Sequence, residues 1–137
     1  MDRYLGGVSD YAYAFVRIVI GFFMACHGAQ KLFGAFGGLD GAGHGMPIGS
    51  LMWFVGCIEF FGGLLVCIGL FAGWAAFVVS GLMAFAYFMV HQPQGLFPIQ
   101  NKGELAAVYC FAFLLIATRG SGPLSVDEAR GATARRR

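Results

Sequence analysis

Charge is what this sequence has least of. Of 137 residues, nine are Lys or Arg and seven are Asp or Glu, so 12% are charged against 58% hydrophobic. A soluble domain carries about 25% charged residues, and a chain this short exposes much surface for its volume. Too few charges exist to cover that surface in water, and the mean hydropathy of +0.72 points the same way. An ordinary cytosolic enzyme is excluded, and so is a disordered chain, which lacks apolar residues. The four cysteines, Cys26, Cys57, Cys67 and Cys110, show no C-x-x-C spacing. That excludes the thioredoxin and zinc patterns and a secreted disulfide mini-protein. A net charge of +2 is too small for a nucleic-acid surface. No stretch alternates apolar and polar residues as a membrane barrel strand must. The loop with Gly41, Gly43 and Gly45 has neither a Walker lysine nor a preceding strand, so it is no nucleotide loop.

What is present suits a bilayer. A spanning helix needs roughly 20 apolar residues, so four spans use about 80 and leave short loops. The apolar stretches fall at about 11–33, 51–71, 74–91 and 105–119. Asp10 precedes the first as a candidate N-cap. Residues 34–50 hold many Gly with Asp40, His44 and Pro47, residues 92–103 hold Pro93, Pro98, Gln100, Asn101 and Lys102, and residues 69–73 form an uncharged hairpin. After Arg119, Gly-Ser-Gly-Pro opens a polar tail, expected to be mobile over about 120–137. The first stretch is too long for a signal peptide and carries Arg17 in its apolar core. The prediction is one all-α domain over 1–137, an integral membrane four-helix bundle in the plasma membrane. Arg3, Arg119, Arg130 and Arg135 to Arg137 outweigh Lys102 and Lys31. The positive-inside rule then puts both termini and the 69–73 hairpin in the cytoplasm.

Ionisable groups inside a membrane need a reason to be there. At about 1.5 Å of rise per residue, His27 lies roughly 9 Å below the outer surface, Lys31 roughly 3 Å and Glu59 roughly 12 Å. His91 ends the third span on the outer side and Glu104 begins the fourth there. Arg17 alone belongs to the inner half. Arg17, Met24 and Lys31 recur every seven residues on one helical stripe, which should face the bundle interior. Glu59 is too deep and too short to snorkel, so it is either protonated or paired with Lys31 or His27. Lys31 and Arg17 could instead snorkel to the nearest interface, and His91 and Glu104 could be ordinary wet residues. Met24, Cys26 and His27 are soft-metal ligand types, but adjacent helix positions do not converge, so no metal is expected. Small residues at Gly21, Ala25 and Ala29, and at Ala72, Ala76, Ser80 and Ala84, mark helix-packing stripes. Gly62 and Gly63 either pack closely or thin the second helix for a ligand.

These residues carry a resemblance. Arg17-x-x-x-Gly21, His27-Gly28-x-Gln30-Lys31-x-Phe33-Gly34, Glu59-x-x-Gly62-Gly63-x-Leu65, His91, Lys102-Gly103-Glu104 and Gly120-x-Gly122-Pro123-x-Ser125-x-Asp127 resemble the pattern of the DoxX family, in order and over nearly the whole chain. The resemblance implies a four-helix protein of a bacterial or archaeal plasma membrane. Members of that family resemble the small membrane subunit of a thiosulfate:quinone oxidoreductase. Others resemble a membrane partner of a sulfurtransferase and a superoxide dismutase, or lie in metal-handling gene clusters. The pattern does not select among these roles. Two functions follow as expectations. In one, His27, Lys31, Glu59, His91, Gln30, Arg17 and Glu104 supply a site for a quinone head group. The chain has no haem, flavin or iron–sulfur motif, so a redox role requires a protein partner. In the other, the polar cluster fixes helix register in a non-enzymatic anchor. Lipid and a protein partner or a second copy are the expected contacts, and nucleic acid is not.

Overall fold

Helices follow the apolar runs, and glycine, proline and serine set their ends. The computed structural model describes residues 2–134, with side chains from 8 to 131. The Arg3 side chain and the arginines at 135, 136 and 137, which bear on orientation, lie outside the described residues. Among the described residues every regular element is helical. Helix α1 spans Asp2–Phe33, α2 spans Leu51–Ile68, and α3 spans Ala72–Ala86. α3 continues through a π turn at Tyr87–His91 and a 3-10 turn at Gln92–Gln94. A short α4, Pro98–Asn101, leads into α5, Glu104–Arg119, and α6 covers Val126–Ala134. Three stretches, Val8–Phe33, Leu51–Ile68 and Ala72–Gln94, are long and apolar enough to cross a membrane. α5, with 16 residues, is about 24 Å long and runs antiparallel to α3. α1 packs chiefly on α2, α3 chiefly on α5, and the two pairs join through α2 and α3.

The α1–α2 seam is a contact of backbones. A Cβ at Gly21 would lie 2.5 Å from the Cys67 nitrogen, and one at Gly63 would lie 2.5 Å from the Ala25 nitrogen. Small residues allow this approach where lipid offers no hydrophobic drive. Gly28, rather than Ala29, completes the stripe, since its Cβ would meet Phe60. Gly62 receives the Val79 side chain of α3. Gly62 and Gly63 therefore both serve helix packing. The predicted α3 stripe is also buried, with Ala72, Ala76 and Ser80 inside and the Ser80 hydroxyl donating to the Cys110 carbonyl at 2.8 Å.

At one end of the bundle, the tail end, polar groups are matched to backbone. α2 stops at Gly69 (φ 70), where Leu70 N–H donates to Leu65 O at 2.9 Å and Gly69 N–H to Val66 O at 3.2 Å, the paired bonds of a Schellman end. Arg17, fully buried, donates to the carbonyls of Val66 (2.7 Å), Cys67 (2.9 Å), Pro123 (3.2 Å) and Leu124 (2.8 Å). Its cation sits at the negative end of α2, where carbonyls have no partner within the helix. Arg17 therefore neither snorkels nor joins an outer site. The segment expected to be mobile from residue 120 is docked by this contact. Asp127 accepts from Phe71 N–H at 2.8 Å and from the Ser121 hydroxyl at 2.6 Å. Ser125, buried, accepts from Glu128 N–H at 3.1 Å and so caps the start of α6 within an S-x-x-E sequence. Asp10 does not cap α1, which already begins at Asp2. It pairs with Arg119 at 2.5 Å instead, and that guanidinium lies 4.3 Å above the Tyr13 ring.

At the opposite, loop end, residues 34–50 fold back on α1. Gly34 (φ 68) ends the helix, and Met46 N–H donates to the Lys31 carbonyl at 2.7 Å. Ser50 caps α2 by accepting from Trp53 N–H at 3.2 Å. Asp40 organises the turn, accepting from Ala42 N–H at 2.9 Å and contacting His44 Nδ1 at 2.6 Å. The Ala42 amide, then the His44 ring, pull the Asp40 carboxyl down to about 2.

Two outcomes are expected. Arg17→Met should cost about 3 kcal/mol or more, because bonds to a charged donor are each worth about 1.5–3 kcal/mol and buried carbonyls are left unpaired. Thermal unfolding in detergent checks this, and a variant within about 1 kcal/mol of wild type contradicts it. Because the Asp40 pKa is lowered in the fold, its contribution is complete above the ordinary value of 3.8 and lost as pH falls toward about 2. The Ala42 amide should lose exchange protection over that window and not above pH 5.

Candidate functional site

Toward the loop end the four longest helices separate around a cavity of about 510 Å³. Ligand pockets are typically 300–1,000 Å³, mostly apolar, with a few converging polar groups. Here α2 contributes Leu51, Met52, Val55 and Glu59, one face read at helical spacing. α3 and its π turn contribute Leu82, Met83, Phe85, Ala86, Met89, Val90 and His91. α1 brings Met24, His27 and Lys31, and α5 brings Leu105, Ala106 and Tyr109, with Lys102 just before it.

The deepest polar feature is an ion pair. Lys31 Nζ lies 2.6 Å from Glu59 Oε2, with the side chains 12% and 6% exposed. Pairing, not protonation alone, thus accounts for a carboxylate at this depth. One ammonium hydrogen is committed to Glu59, which leaves two for another acceptor. His27 is half-buried beside the pair. Its ring meets the buried Tyr109 edge-on, centroids 6.1 Å apart. Among the described residues nothing hydrogen-bonds that imidazole. His91 Nδ1 lies 3.1 Å from the Asn101 carbonyl. A carbonyl only accepts, so Nδ1 carries the hydrogen and Nε2 is left as an acceptor.

Of the seven site residues read from the sequence, four line this cavity: His27, Lys31, Glu59 and His91. Gln30 does not. It donates to the Gly38 carbonyl at 3.0 Å and borders a separate groove of about 280 Å³ with Phe23, Cys26, His27, Phe36 and Tyr109. Arg17 lies at the tail end, and Glu104 is exposed at the start of α5. Met24 faces the cavity and Cys26 the groove, so the soft-metal trio does not converge.

Three contributors escaped the sequence reading. Tyr109 is the one tyrosine of α5, and the spacing of Lys102, Leu105, Ala106 and Tyr109 marks the face that carries it. Asn101, read as turn chemistry, is buried, donates to the Gly95 carbonyl at 2.8 Å and accepts from Gly103 N–H at 2.8 Å. It shapes the loop that holds His91. The π turn at Tyr87–His91 has no signal before the Pro93 that follows it. Such turns re-aim side chains and recur at functional sites.

The chain has relatives. A family model, DoxX, matches residues 12–92. An uncharacterized protein of Haemophilus influenzae is 37% identical over 121 residues, which cover 86% of this chain and 90% of that one. No solved structure matches.

The ion pair sets an expectation for stability. Lys31→Met alone should cost about 3–5 kcal/mol, since it strands a buried carboxylate, while Lys31→Met with Glu59→Leu should cost much less. Chemical unfolding in micelles compares them, and equal losses for single and double variants would contradict a desolvated pair.

Proposed function

The chain belongs to the DoxX family of membrane proteins, and from that footing we propose that its loop-end cavity binds a quinone head group. The observation that carries this is the placement of a Lys31–Glu59 pair, and of a His27 ring with no hydrogen-bond partner among the described residues, at the polar end of an otherwise apolar cavity. A quinone needs donors at its carbonyls and an apolar slot for its ring. The donor set fits. Lys31 and His27 donate hydrogen bonds to the carbonyls, Glu59 relays protons toward the ring through Lys31, and Met24, Val55 and Met83 close on the ring. When bound, the quinone supplies two-electron redox chemistry that no side chain here provides. Electrons reach it from a partner protein, so the chain acts as the membrane subunit of an oxidoreductase.

In this reading the protein crosses the plasma membrane four times, α5 being the fourth span. Its apolar faces, with Val108, Phe111 and Leu115 exposed, suit lipid. Shortness is met by local thinning or by interfacial residues at its ends. Arg119 and Arg130 stand at the tail end, so that end, with both termini, faces the cytoplasm. The cavity then lies in the outer half of the bilayer.

A second reading has its own observation. The ion pair ties α1 to α2, as a purely structural bond in an anchor or assembly partner would. Titration of nanodisc-embedded protein with a short-tailed quinone, followed by tryptophan fluorescence, separates the two. Saturable binding that weakens at least about tenfold in His27→Phe and in Glu59→Gln, with both variants folded, supports the site. No binding by the wild type, with Glu59→Gln unfolded or stripped of a copurifying partner, supports the anchor.

A further inference from the structure

The cavity has four helix seams around it, and three of them are fastened at its level. The α1–α2 seam carries the Lys31–Glu59 pair and the Gly28–Phe60 approach. The α3–α5 seam carries the Ser80 bond to the Cys110 carbonyl, and at the loop end the π turn after α3 is tied to α4 by the His91 bond to Asn101. The α1–α5 seam carries the edge-on contact of His27 and Tyr109. Across the α2–α3 seam, no hydrogen bond, ion pair or ring contact occurs among the described residues.

The register of that seam is legible. Helices α2 and α3 form a hairpin shut at the tail end by Gly69 and Phe71. Gly62 faces Val79 closely, for a Cβ there would come 2.5 Å from Val79 Cγ2. One antiparallel turn at a time toward the loop end, the facing positions become Glu59 and Leu82, Val55 and Ala86, Met52 and Met89. All six line the cavity. Past Gly62 and Val79, the hairpin's arms thus flank open space instead of one another. At its wide end Met52 is 39%, Phe85 49% and Met89 62% exposed. These side chains border the cavity and reach the outer surface of the bundle together. Methionine is flexible and yields to what passes it.

We propose that the wedge between α2 and α3 is a lateral portal onto the bilayer, and that the cavity's ligand is a lipid-soluble molecule whose apolar tail leaves through it. The proposal rests on the cavity being a head-group site. Glu59 and Met52 are separated by about 10 Å along α2. A ligand with its head at the ion pair and a tail longer than that extends into lipid, and a tail-free head group fits wholly inside.

The test links the arms of the hairpin. Met52→Cys and Met89→Cys are placed in full-length protein whose four native cysteines are replaced by alanine, and a bifunctional maleimide joins them in nanodiscs. Binding of a quinone with a ten-carbon tail should slow at least about tenfold on linking, as gated association does, while a tail-free quinone keeps its rate. A tailed quinone that binds linked and unlinked protein equally fast overturns the portal. Failure of both quinones to bind unlinked protein sinks the head-group site instead. A second measurement then decides the portal without a quinone. A spin label at Val55→Cys should collide more with lipid-dissolved oxygen than with an aqueous nickel chelate. The reverse order places the opening toward water and overturns the proposal.

Discussion

The contact on which the rest depends is the backbone approach of α1 and α2 at Gly21 and Gly63. Without side chains between them, the two helices are held in one register along their length. That register carries Arg17 to the last turn of α2 at one end and Lys31 to Glu59 at the other. A Cβ in the seam would force the helices apart by more than a hydrogen bond tolerates. Both polar contacts would then open in a medium that offers no water in exchange. Glycine at these positions is less a matter of flexibility than of permitted distance.

The two ends of the bundle use polarity differently. At the tail end the terminal guanidinium nitrogens of Arg17 reach four carbonyls, with only its buried Nε left unmatched, Tyr13 donates to the Gly120 carbonyl at 2.5 Å, and Phe71 N–H donates to Asp127. At the loop end capacity is left over, in the spare hydrogens of Lys31, the ring of His27 and one nitrogen of His91. Buried groups that are fully satisfied fix a structure, and groups with capacity in a cavity are available to a ligand. The small charge complement of the chain is thus divided between fastening and chemistry, and the division follows position along the bundle axis.

Much of this was legible in the sequence. Apolar run length located the helices, and depth arithmetic alone put His27 and Glu59 at similar depth, with Lys31 nearer the surface and long enough to reach down to Glu59. The small-residue stripes named the seams. What was not legible depends on partners far away in sequence. Arg17 sits on the predicted stripe, yet its acceptors at 123 and 124 come from a Gly-rich segment whose composition reads as loose. The Ser125 cap of the S-x-x-E sequence was present there but overshadowed by the glycines around it. Asp10 looked like a cap because apolarity begins after it, while the helix begins earlier. Gln30 shares a helix face with His27, but the returning loop at Gly38 claims it. The π turn leaves no periodic trace, so the approach of His91 to the cavity follows from a backbone turn that side-chain spacing does not announce.

The Arg17 clamp also orders events during biogenesis. Its first two acceptors, Val66 and Cys67, are available once the second helix has been made. The other two belong to residues synthesised near the end of the chain. Through most of translation the bilayer therefore holds a guanidinium whose shell is half complete. Without residues 123 and 124 the guanidinium keeps two of its four carbonyl partners, so the polar segment after α5 is as much a part of the buried core as the helices are.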